Sequence, residues 1–136
     1  MGQVIGIDSS VFIYLLEEHP QFLSRARKAL LSVQEGKYEA VLSVIGMIEI
    51  LTGPKLQGKK ELAAHYKELI KNFPHVRIMG IDESVVDIAS DLRGKYRLRT
   101  PDAIHIATAI AHSAEKFVTN DMALKVVTEI PIEMLA

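Results

Sequence analysis

Apolar residues recur along this chain in two rhythms. Short, nearly continuous apolar runs alternate with longer segments in which apolar positions return every three or four residues, the signatures of buried strands and amphipathic helices. The stretch "QVIGID" predicts a first strand over residues 3 to 8, with Val4, Ile5 and Ile7 as its apolar side chains. A short helix is expected over 11 to 18, ending near His19 and Pro20. Residues 21 to 35 place Phe22, Ala26, Ala29, Leu30 and Val33 at helical spacing, and Gly36 ends them. Strand two is expected at 39 to 43, where Ser43 caps the helix "VIGMIEIL" and Gly53 and Pro54 close it. A long amphipathic helix over 57 to 72 leads to strand three at 75 to 79. A helix over 82 to 93 opens at Asp82, and the basic loop "GKYRLRT" follows. Residues 101 to 113 read as a helix capped by Thr100 with Pro101 at its first position. Strand four is "KFVT", 116 to 119, a short helix "DMALK" comes next, and "VVTEI" is expected to be the last strand.

Strands therefore alternate with helices throughout. Strands this short and this apolar on both faces suit a parallel sheet covered by helices. Such sheets bind ligands beyond the carboxyl ends of their strands. Asp8 ends strand one, Glu49 lies on the helix leaving strand two, and Asp121 follows strand four by two residues. Asp102 joins that edge if the start of its helix lies there.

Composition narrows the chemistry. A length of 136 residues fits one domain, 1–136, and a hydrophobic fraction of 49% fills a core. The absence of cysteine removes disulfides, thiolate metal ligands and a cysteine nucleophile. No apolar run reaches the roughly 18 residues of a membrane helix, and no secretory leader pattern opens the chain, so a cytoplasmic protein is expected. A net charge of -1 argues against a general basic coat for nucleic acid and leaves room for a local basic strip.

Ionised carboxylates gathered in one cleft repel one another, and a divalent cation offsets that repulsion better than helix N-termini do. Mg²⁺ and Mn²⁺ prefer hard oxygen ligands and commonly sit between carboxylates and substrate phosphates. An acidic site with neither Cys nor clustered His thus points to phosphodiester chemistry before zinc chemistry. Each acid also has a plainer role. Asp8 suits a turn or cap, and Asp102 and Asp121 suit helix starts. Glu49 could face solvent, although it interrupts a nearly apolar helix, where a carboxylate needs a partner.

The stretches "IGIDSSVFIYLLE", "LSVIGMIEIL" and "LRTPDAIHIATAIAHSAEKFVTND" resemble the PIN-domain family. The likeness is strongest to the single-domain toxin ribonucleases of bacterial and archaeal toxin–antitoxin pairs, and it extends over nearly the whole chain. It implies a three-layer α/β/α fold with a central parallel sheet of strand order 3-2-1-4-5. It also implies that Asp8, Glu49, Asp102 and Asp121 form a catalytic Mg²⁺ or Mn²⁺ site. Asp8, Glu49 and Asp102 would hold the principal ion, and Asp121 would complete the site or assist a second. By the same resemblance the chain cleaves RNA as an endoribonuclease, forms a homodimer and is neutralised by a small antitoxin protein whose tail enters the acidic cleft. Ser9 stands where the family frequently has threonine, and Gly46 where serine or threonine is commoner.

Ser9, Thr119 and Asn120 are expected to support the acids as outer hydrogen-bond partners, or to serve as turn and cap residues. Arg93, Lys95, Arg97 and Arg99 form the one dense basic strip, read as RNA-binding or as a solvated loop. Tyr96 within it could stack on an unpaired base. His105, three positions after Asp102, reads as a packing or surface histidine rather than a ligand or base. Competing functions are an RNA-processing nuclease without a toxin role and a protein-binding module without catalysis. An aspartyl-phosphate phosphatase is disfavoured by Ser10, which stands where that chemistry commonly wants a second aspartate. A receiver domain fits the helix-opening Asp102 and the Asn120–Asp121 pair poorly.

Overall fold

The apolar runs pair into a five-stranded sheet in which every pairing is parallel, in the order β3-β2-β1-β4-β5. The computed structural model describes residues 2–135. Along them lie β1 (Gln3–Ile7), α1 (Ser9–Leu16), α2 (Leu23–Gln34), β2 (Tyr38–Ser43), α3 (Val44–Leu56), α4 (Lys60–Lys71), β3 (Val76–Met79), α5 (Glu83–Tyr96), α6 (Thr100–Ala111), β4 (Phe117–Thr119), a 3-10 turn (Met122–Val126) and β5 (Ile132–Met134). The expected sheet order is the one found.

Period-two alternation divides the strand side chains between two helical layers. Ile5 and Ile7 of β1, Ala40 and Leu42 of β2 and Val118 of β4 pack with Phe12, Leu30, Val33, Ile50 and Ile70 from α1 to α4. On the other face Phe117 joins Val85, Leu92, Ile106 and Leu124 beneath α5 and α6. Gly6 also points to that face. A Cβ there would lie 2.5 Å from the Cβ of Ala109 and 2.9 Å from Cδ1 of Phe117, so α6 rests close against the middle of the sheet. Among the described residues no helix is long and apolar enough to cross a membrane.

Four expectations are corrected. The helix after β2 does not close at Gly53 and Pro54; α3 runs on to Leu56 with the buried Pro54 inside its last turn. Proline's fixed φ is helical, so Pro54 can stand in the last turn at the loss of one backbone hydrogen bond. Gly94, Lys95 and Tyr96, expected in the basic loop, are the last turn of α5, and the turn out of the helix is made by Arg97 at φ 58°. Thr100 is the first residue of α6 rather than its cap, which is Arg99. The last strand is not 126 to 130 but Ile132–Met134, paired in register with Phe117–Thr119. Val127 and Ile130 are buried all the same, because their spacing of three lets a turn bring both onto the α5–α6 core.

Candidate active site

The carboxyl ends of β1, β2 and β4 lie side by side, and the chain leaves each of them through a capped turn. Asp8 is the N-cap of α1, its carboxylate accepting from Ser10 N–H at 3.4 Å. Ser43 caps α3 by accepting from Ile45 N–H at 3.2 Å. Asp121 caps the 3-10 turn, accepting from Ala123 N–H at 3.0 Å. The cap role and the site role therefore coincide at Asp8 and Asp121. A carboxylate that caps a helix leaving a parallel strand is held at the sheet edge where ligands bind.

Glu49 and Asp102 reach this edge from helices. Glu49 stands in the second turn of α3, and helical side chains lean toward the N-terminus, which here is the end of β2. α6 runs into β4, so packing on the sheet turns it antiparallel to the strands and its first turn, with Asp102, arrives at their carboxyl ends. All four acids line one cleft of about 400 Å³, together with Ser9, Ser10, Tyr14, Arg99 and Asn120.

Hydroxyl groups tie the cleft together from below. Thr119, fully buried at the end of β4, donates to Asp8 Oδ2 at 2.7 Å and accepts from Asp121 N–H at 3.1 Å. One side chain thereby sets the spacing of two acids that are 113 positions apart in sequence. Ser9 donates to Glu49 Oε1 at 2.9 Å and lies 3.4 Å from Asp8 Oδ1. Asn120 donates to the Tyr14 hydroxyl at 3.2 Å, anchoring the turn after β4 to α1. The expected supporting residues thus touch the acids or the segments that carry them.

The basic strip divides. Arg99 turns into the cleft, its Nε donating to Asp102 Oδ2 at 3.0 Å. Asp102 strengthens the guanidinium's hold on its proton, and Asp121 and Glu49 add smaller pulls. Arg93 donates from Nε to the Leu98 carbonyl at 3.0 Å and pins the turn between α5 and α6. Lys95 pairs with Glu129 at 3.3 Å. Tyr96 donates to Glu129 at 2.6 Å, and its hydroxyl also accepts from Thr128 N–H. Arg93, Lys95, Arg97 and Tyr96 do not line the acidic cleft.

His105 is the residue that the sequence undervalued. It is buried in α6, and its Nε2 lies 2.6 Å from Glu49 Oε1. That hydrogen bond, aided by Ser9 and opposed by burial, holds the Glu49 carboxyl below the usual carboxylate range. The available signal was its place one helical turn after Asp102, on the same face.

The donor set is made of carboxylate, hydroxyl and amide oxygens, the hard ligands that suit Mg²⁺ or Mn²⁺, with no soft ligand among them. Among the described residues no three His, Asp or Glu side chains stand so that they could close on one ion. Their oxygens are engaged instead by Ser9, Thr119, His105 and Arg99. The cleft fits a hard divalent cation in its chemistry, and Arg99 supplies the positive charge that faces the acids.

Comparison with known proteins agrees with this architecture. The PIN domain family profile matches residues 5–130. Comparison with curated protein sequences gives no significant match. Among solved structures, VapBC2 from Rickettsia felis bound to a DNA fragment from its promoter superposes with a TM-score of 0.79 at 18% identity, covering 97% of this chain and 98% of that one. FitAcB from Neisseria gonorrhoeae gives 0.72 at 22% identity, covering 96% of both chains. VapC20 from Mycobacterium tuberculosis, described as a sarcin-ricin loop cleaving toxin, gives 0.70 at 13% identity, covering 94% of this chain and 98% of that one. At these identities the likeness establishes the fold. The family profile spans nearly the whole sheet, from β1 to the segment before β5, and with it all four acids: the chain belongs to the PIN domain family.

Proposed function

We propose that this protein is a metal-dependent endoribonuclease acting in the cytoplasm as the toxin of a toxin–antitoxin pair. The observation that carries the reading is the meeting of Asp8, Glu49, Asp102 and Asp121 on one cleft of a PIN domain. Asp8, Glu49 and Asp102 would hold Mg²⁺ or Mn²⁺, with Asp121 completing the set. An ion bound there supplies a nucleophilic water and offsets charge on the phosphoryl oxygens.

The chain's own residues do the rest. Thr119 and Ser9 hold Asp8 and Glu49 from below, and loading the site then requires the acids to draw together and Asp102 to release Arg99. Arg99, at the rim, changes partners from Asp102 to an RNA phosphate, which its planar fork matches. Ser9 is buried and directed at Glu49, and with a metal-activated water no amino-acid nucleophile is needed. The substrate is unpaired or tRNA-like RNA, held through its phosphates.

The toxin role takes its support from the comparison structures, several of which are described as VapBC or FitAB assemblies or as a toxin-antitoxin complex. The partner here would be a small antitoxin whose basic side chain pairs with the acidic cluster, and the chain would act as a homodimer. Purified protein incubated with unpaired or tRNA-like RNA should cleave it with Mn²⁺ and stop with a chelator; a short reading frame is expected beside this one, and co-expression with its product should give a stable, inactive complex. Absence of metal-dependent cleavage overturns the nuclease reading. Cleavage with harmless expression and no binding partner overturns the toxin role alone.

A further inference from the structure

Beneath the acidic cleft lies a histidine whose one hydrogen bond among the described residues goes to a member of the cleft. His105 is 3% exposed, and its Nε2 approaches Glu49 Oε1 at 2.6 Å. An ionised carboxylate only accepts, so the proton in this contact belongs to Nε2. The other ring nitrogen, Nδ1, is buried with no partner among the described residues. A buried ring nitrogen without a partner is unfavourable, and a leucine would fill much the same space without it. Packing alone therefore does not account for a histidine here.

The room for the ring comes from a second unusual residue. A Cβ on Gly46 would lie 3.2 Å from His105 Cε1 and 2.5 Å from Leu42 Cδ1. Gly46 sits in the first turn of α3, where glycine weakens the helix relative to alanine. Two locally unfavourable choices, glycine opening an apolar helix and histidine inside another, meet on one hydrogen bond to Glu49.

We propose that His105 is a positioning residue for the metal centre. With Ser9, it occupies Glu49 Oε1, which fixes the carboxylate's rotation and leaves Oε2, free of protein donors among the described residues, as the oxygen offered to the ion. The proposal rests on the reading of the cleft as a metal site, and it assigns to α6 two contributions: Asp102 as a ligand and His105 as the support of a ligand on another helix.

The test compares wild type, His105→Leu and His105→Gln. Each is titrated with Mn²⁺ alone by calorimetry, melted without metal and assayed for RNA cleavage. His105→Leu should fold and bind Mn²⁺ about 10- to 100-fold more weakly, the usual effect of losing an outer hydrogen bond to a ligand. Its kcat should fall while KM for RNA stays within about twofold, because the ring does not touch substrate. His105→Gln keeps a side-chain N–H donor and should recover most of the loss. Unchanged Mn²⁺ affinity in folded His105→Leu, or glutamine no better than leucine, overturns the proposal. If the leucine variant does not fold, nitrogen NMR of wild type decides: adding Mg²⁺ alone should move the His105 Nε2 signal, and an unmoved signal overturns the role. A wild type that binds no Mn²⁺ overturns the metal reading and this role with it. A wild type that binds, with His105→Leu binding equally, overturns this role alone.

Discussion

Asp8 and Asp121 show how a residue's ordinary and special roles can be one role. Each caps a helical turn, and each turn leaves a strand at the edge where the cleft lies. Asp102 has no cap to make, so its removal is the cleaner experiment. With Asp102 as a ligand in the proposed site, Asp102→Asn should lower cleavage on the order of 100-fold or more, since loss of a ligand exceeds loss of an outer partner. Its metal-free melting temperature should change little, because the relief of repulsion in the cleft offsets the loss of the exposed Arg99 pair. Normal cleavage in the variant would remove Asp102 from the site. Glu49 allows a pH prediction. Its carboxyl titrates lower in the folded chain than in the unfolded one, chiefly through His105. The stability this contributes is fully present above the ordinary glutamate range and is lost as pH falls through the lowered value. Denaturant melts of the metal-free protein between about pH 6 and 3 should therefore show a shallower acid limb in His105→Leu than in wild type. Equal slopes would mean that the contact does not favour ionised Glu49.

At the scale of elements, α6 decides the site. It carries Asp102 and His105, and its seat on the sheet depends on Gly6. Gly6→Ala places a methyl group 2.5 Å from Ala109 Cβ and should cost about 1–3 kcal/mol in denaturant unfolding. Ala109→Gly in the same chain should restore part of that, less about 1 kcal/mol for glycine inside a helix. Additive losses in the double variant would show that the contact is not the cause. The α5–α6 connection makes a second distinction. Arg99 faces the cleft, whereas Lys95 is tied to Glu129. Arg99→Ala should reduce the slope of log affinity for single-stranded RNA against log salt by about 0.7, one phosphate contact, and Lys95→Ala should leave it unchanged. A reversed pattern would place the RNA along α5 instead.

Across the whole molecule, the proposed metal site would link ion binding to folding, because the cleft collects acids from four separate segments. Mn²⁺ at a hundredfold excess over its Kd should stabilise the folded chain by about 2.7 kcal/mol, read as a higher melting temperature, and a chelator should reverse it. Asp102→Asn should show little of this shift at the same concentration. A shift that persists undiminished in the variant would locate the ion elsewhere.

What the sequence determined by itself is what depends on neighbours along the chain. Alternating apolar rhythms were enough for the first four strands, the helices between them and their parallel arrangement. The resemblance carried by "IGIDSSVFIYLLE", "LSVIGMIEIL" and "LRTPDAIHIATAIAHSAEKFVTND" brought the strand order, which the structure bears out. That Asp8, Glu49 and Asp121 reach one edge was legible because each follows a strand end or breaks an apolar helix; Asp102 reaches it only because α6 starts there, which the sequence left open. Boundaries set by distant partners were not legible. β5 lies at Ile132–Met134 because β4 selects its register there, and "VVTEI", the more strand-like string, is taken by the α5–α6 core. The basic strip looked uniform because charge along a sequence carries no direction; the turn at Arg97 sends Arg99 into the cleft and leaves Lys95 beside Glu129. The meaning of His105 was hidden for the same reason. Its partner is 56 positions away on another helix, and only the packing of α3 and α6 against one sheet edge, with Gly46 making room between them, brings the two within hydrogen-bonding distance.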